Sequence, residues 1–200
     1  MKLISSAAYA LLFIACLALT ACIDDDLPPE ENEEETITEV TLTFTPAGGS
    51  PARTATWVDA DGEGANDPEL TPVVLAANTT YTLEVDLVNA IDPTDPESIT
   101  DEVREEADEH MFFFGWTDAL FATPMGNGNL GAGNRANPVN YEDEDDAGLP
   151  LGLVTTWTTG DAATGTFQMV LKHQPDIKSA TSDATQGESD VDITWQAEVQ

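Results

Sequence analysis

Apolar and polar residues alternate one by one through much of this 200-residue chain. Val40, Leu42 and Phe44 sit between threonines, and the run Val40–Thr45 is closed by Pro46-Ala47-Gly48-Gly49. Successive side chains on a strand point to opposite faces, so this pattern predicts a strand with one buried face. The same period predicts strands at Tyr81–Leu87 and Val191–Val199; Thr54–Val58 reads as a short strand, Met111–Trp116 as an aromatic-rich one, and Leu153–Thr158 and Thr166–His173 as strands flanking a turn. The turn residues Thr159–Gly165 predict a hairpin between Leu153–Thr158 and Thr166–His173. One segment breaks the period of two. Ser98 or Thr100 can cap a helix running through Glu102–Glu109, with Val103 and Ala107 four apart on its inner side. Seven or eight Thr- and Val-rich strands with Gly, Asn and Pro turns predict an all-β fold. It is an antiparallel β-sandwich, immunoglobulin-like or jelly-roll in type, with one short helix between strands.

The first residues follow another rule. Lys2 precedes an apolar run of about 17 residues, Leu3–Leu19, and Leu19-Thr20-Ala21-Cys22 ends it. Small residues before a cysteine make the layout of a bacterial lipoprotein signal, with lipid expected on Cys22. A spanning helix is the weaker reading, because the run is short for a bilayer and enters Asp24-Asp25-Asp26 directly. Residues 1–21 are therefore expected to be a signal peptide, 22–35 an acidic disordered tether with Pro28 and Pro29, and 36–200 the domain. Loss of Cys16 with the signal leaves one cysteine, so no disulfide is expected and the core must hold the fold.

Charge narrows the partners. The chain carries 38 acidic and 6 basic residues, a net charge of −32. A field of that sign repels nucleic acid and concentrates cations, and it also suits a saline habitat where salt screens self-repulsion.

Two histidines carry the sharpest geometry. His110 shares the inward face of its strand with Phe112, Phe114 and Trp116, and His173 shares one with Phe167, Met169 and Leu171. If the strands are antiparallel neighbours, the imidazoles meet across one rung, with Cβ atoms about 5 Å apart. With Glu106, Glu109 or Asp176 alongside, the pair is a candidate site for Zn2+ or Cu2+. As a plain structural pair, they close the end of the core through hydrogen bonds.

A second candidate is the loop Asp59–Asp67. Asp59, Asp61, Glu63, Asn66 and Asp67 alternate with glycines, which suits Ca2+ and its many oxygen ligands. Leu70 stands where an EF-hand needs Glu, and Pro68 and Pro72 forbid the following helix, so an EF-hand is excluded. The acidic run Tyr141–Asp146 reads as a solvated loop, and Gly126–Asn134 as a flexible surface loop without phosphate-binding context. With no cysteine nucleophile, no Gly-x-Ser-x-Gly elbow and both histidines ending strands, an enzyme is not expected.

Several segments together support a resemblance. Ile23-Asp24-Asp25-Asp26 resembles the surface-export signal of Bacteroidota lipoproteins. Thr38–Thr43, Asp59–Gly64, Leu75–Tyr81, Glu105–Phe113 and Leu171–Pro175 resemble a Bacteroidota lipoprotein family often labelled "type 1 periplasmic binding fold superfamily". That label would imply two α/β lobes with crossover helices, whereas the pattern here has one helix. The resemblance implies lipid anchoring in the outer membrane, facing outward, and a ligand-binding accessory role beside an outer-membrane receptor. A structural or adhesive module with calcium-stiffened loops is the alternative, and a transition-metal protein built on His110 and His173 is the other.

Overall fold

A computed structural model describes residues 35–62 and 64–200 of the chain. Cys22, the signal and the tether up to residue 34 lie outside the described residues, as does Glu63.

The alternating segments fold as strands with their apolar rows inward. One sheet holds β1 (Glu39–Pro46), β2 (Arg53–Val58), β3 (Glu69–Leu70), β5 (Thr80–Asn89), β6 (Glu97–Ser98), β8 (Phe121–Thr123) and β9 (Val154–Thr159). Its order is β3-β2-β1-β5-β9-β8, with β6 on β5, and every pairing is antiparallel. The second sheet holds β4 (Val73–Leu75), β7 (His110–Trp116), β10 (Ala163–His173) and β11 (Glu188–Val199), in the order β4-β11-β10-β7. Val40, Leu42 and Phe44 of β1 and Leu83 and Leu87 of β5 are fully buried against Phe167, Met169 and Leu171 of β10. Phe167 receives Phe44 and Trp157 from the first sheet edge-on, at 6.1 and 5.2 Å between ring centroids. The fold is thus the expected β-sandwich. It differs at β4, which runs parallel to β11 after Thr71-Pro72 carries the chain from one sheet to the other. The four strands of two or three residues (β3, β4, β6, β8) are too short for alternation to reveal.

The expected hairpin does not form. β9 lies in the first sheet and β10 in the second, so Gly160–Ala162 bridges the two layers. Each strand carries one apolar row, and crossing the sandwich sets Trp157 edge-on against Phe167 from the opposite sheet instead of beside it on one surface.

The helix α1 (Ile99–Glu105) begins at Ser98, whose side chain accepts a hydrogen bond from the Asp101 amide. Ile99 and Val103 are buried. It stops well short of the expected Glu109. Glu105, Glu106, Asp108 and Glu109 crowd negative charge at the end where the helix dipole is itself negative. The Glu106 carbonyl accepts from the amides of Glu109 and His110 and turns the chain straight into β7. Among the described residues, no helix is long and apolar enough to cross a membrane.

β7 is an edge strand whose open side is covered by the long segment before β9. Its Phe112 and Trp116 amides donate to the carbonyls of Leu151 and Asn127, and its Phe114 amide donates to the Asn129 side chain. Tyr141 donates its hydroxyl to the Phe112 carbonyl and receives Asn129 Nδ2. The Gly-rich loop is therefore more than surface, since Asn129 is fully buried and stands in for a missing strand. Nor is the acidic run wholly solvated. Asp143 accepts from the Gly152 and Val154 amides, and Asp145 is buried against Lys178 at 2.9 Å.

Candidate metal centre

β7 starts and β10 ends with a histidine, and their antiparallel register pairs His110 with His173 on one rung. Both share the parity of the inward phenylalanines, so both rings enter the same end of the sandwich. His110 is fully buried and His173 nearly so. The rings stack at 4.5 Å with 7° between their planes. Glu106, the C-cap of α1, lies one turn before His110. Ligand atoms of Glu106, His110 and His173 all lie within 4.8 Å of one another. Among the described residues they form the one group of three or more ligating side chains that meets this spacing.

Around each ring stand oxygens. His110 Nδ1 lies 3.2 Å from the Glu106 carbonyl and 3.9 Å from Glu106 Oε2. His110 Nε2 is buried, makes no hydrogen bond and lies 3.6 Å from Asp190 Oδ2. His173 Nε2 is 3.3 Å from Glu109 Oε2. Burial pushes the His110 imidazole down to about 4 against the opposing pull of the Glu106 carbonyl, so near neutral pH the ring is neutral, the form that binds metal.

Asp190 had no signal in the alternating pattern. Leu171 pairs with Val191 but Lys172 pairs with Ser189, so Asp190 is the extra residue of a β-bulge. Regular pairing would turn it outward with Asp192; the bulge buries its side chain completely. Beside it a cleft of about 320 Å³ is lined by Glu35, Asp59, Trp57 and Asp190. Burial, followed by a hydrogen bond with the Glu102 carboxyl, raises Glu35 to about 7.

The other expected sites fall elsewhere. Asp176 is exposed on the turn after β10. In the Asp59–Asp67 loop, Asp61 Oδ2 accepts from the Ala65 amide, the Asn66 amide and Asn66 Nδ2, so that carboxylate is directed at its own loop. Asp59 turns toward the cleft and Asp67 is exposed. No family model matches the chain, and neither a curated protein nor a solved structure is found to resemble it.

Proposed function

We propose that this chain is an envelope lipoprotein, acylated at Cys22 and carried on the outer face of the outer membrane, that binds a transition-metal ion where Glu106, His110 and His173 converge. The observation that carries it is the stacked histidine pair, buried at one end of the sandwich, with the exposed acid Glu106 beside it. Imidazole and carboxylate donors suit Zn2+ and Cu2+. A net charge of −32 draws cations toward the protein before the site selects among them. Lone pairs of parallel rings lie in parallel planes, so a shared ion must splay the stack; the site reads as one that opens on loading. The role is binding and handing on, beside an outer-membrane receptor, not catalysis.

The test is metal stoichiometry on protein purified from membranes, stripped with chelator and reloaded separately with Zn2+, Cu2+ and Ca2+. One Zn2+ or Cu2+ per chain is expected, with loss in His110→Ala and in His173→Ala. At a hundredfold excess over Kd, loading should stabilise the fold by about 2.7 kcal/mol. Failure to retain either transition metal would sink the reading, and Ca2+ alone, lost in Asp61→Ala, would replace it with the adhesive one. Loss of acyl labelling in Cys22→Ala tests the anchor.

A further inference from the structure

Resting on that reading, we propose that the carboxylate ligand is Asp190, bound together with His110 Nε2, and that Glu106 serves to hold the tautomer through its backbone. A carbonyl oxygen can only accept, so the 3.2 Å contact with Glu106 places the proton of a neutral His110 on Nδ1. The lone pair then sits on Nε2, buried, without a hydrogen bond and facing the Asp190 carboxylate at 3.6 Å. Exchanging the tautomer brings no relief. Nε2–H would lie beyond hydrogen-bond length from Asp190, and the Nδ1 lone pair would oppose the carbonyl. An imidazolium would face both oxygens, but it would place a charge on a fully buried ring, with a second imidazole stacked 4.5 Å away. A cation between Nε2 and Asp190 Oδ2 meets the Nε2 lone pair.

The distances agree. Two ligands on a tetrahedral zinc, each about 2.1 Å from it, stand about 3.4 Å apart. The Asp190 contact at 3.6 Å is close to this, whereas Glu106 Oε2 stands 3.9 Å from a nitrogen already engaged. The bulge is what aims Asp190 inward, and the acidic cleft beside it offers a cation a path from solvent. His173, oriented by Glu109 at 3.3 Å, comes in as the third donor once the stacked rings splay, since among the described residues only Glu106, His110 and His173 share the 4.8 Å spacing. Three protein donors leave the fourth position of a tetrahedral ion open, as exchange with a partner requires.

Zinc titration of the whole protein, followed by calorimetry, separates the two acids. Asp190→Asn should weaken zinc about a hundredfold or more, beyond what the loss of an orienting group costs, and Glu106→Gln no more than a few fold. Two-bond 1H–15N spectra of the unsubstituted protein, assigned with His173→Gln, give a readout independent of any folding defect. His110 Nδ1 should carry the proton throughout, while the Nε2 resonance moves on zinc addition. Loss of binding in Glu106→Gln with Asp190→Asn unaffected, or a zinc-dependent shift at Nδ1, would overturn the assignment and leave the metal reading intact. Absence of zinc binding by the unsubstituted protein would overturn both.

Discussion

His110 and His173 meet because each ends a strand on its inward side, and the backbone beside His173 is tightly packed. Gly187, just before β11, shows how tightly. Its φ of +74° lies in the left-handed region, and a Cβ there would stand 2.1 Å from the His173 carbonyl oxygen and 2.9 Å from Gln174 Cγ. Alanine at 187 therefore combines backbone strain with a clash that must push His173 away. Gly187→Ala should cost about 2 kcal/mol or more in urea unfolding and weaken metal binding. Gly48→Ala, with nothing within 4 Å, should stay within about 0.5 kcal/mol. At this scale much was legible. Strand parity placed both histidines inward, and Glu106 stood among three candidate acids beside them, with Glu109 and Asp176. Asp190 was hidden, because a bulge moves one residue against the period and leaves no mark in composition.

Between elements, the connection that matters most to the site is the pair Lys178–Asp145. Both side chains are almost wholly buried, at 1% and 2% exposure, and Lys178 also donates to the Ala107 carbonyl in the turn between α1 and β7. One lysine thus ties the acidic loop to the turn that delivers Glu106 and His110. Asp145→Asn leaves a buried ammonium without its counter-charge and should cost about 3–5 kcal/mol by denaturant unfolding. Asp145→Leu combined with Lys178→Met should cost much less than the single change. Burial alone would raise Asp145; Lys178 and the Leu149 and Ala147 amides outweigh it and hold the carboxyl below 3.8. The unfolded chain then takes up the proton first as pH falls. The stabilisation is present above about pH 3.8 and declines below it, so the gap between wild type and Asp145→Asn should hold at about pH 5 and narrow as the pH is taken below 3.8. The acidic run gave no hint of this, since a burial decided by a lysine from the β10–β11 connection is invisible locally. For the same reason the cover over β7 was missed: side chains of Asn129 and Tyr141 replace a strand, and no strand-like period marks them.

Across the whole molecule, charge sets the working conditions. With 38 acids against 6 bases, self-repulsion opposes the folded state at low ionic strength, and salt shortens its reach from about 10 Å at 0.1 M to about 3 Å at 1 M. The melting temperature should rise as NaCl goes from 0.05 to 1 M, by roughly 2–4 °C for each kcal/mol of repulsion relieved. A flat profile would mean the acids are already balanced by pairing. The sequence by itself determined the all-β class, the positions of the long strands, a helix start at Ser98 or Thr100 and the inward aim of both histidines. These follow from the two-residue period and from capping chemistry, which are properties of neighbouring residues. Only the tertiary structure decided that β9 and β10 belong to different sheets, that Asn129 closes an edge, and that Asp190 turns in beside His110. Each depends on register and layering between residues far apart in the chain, where buried polar groups must find partners that no local pattern specifies.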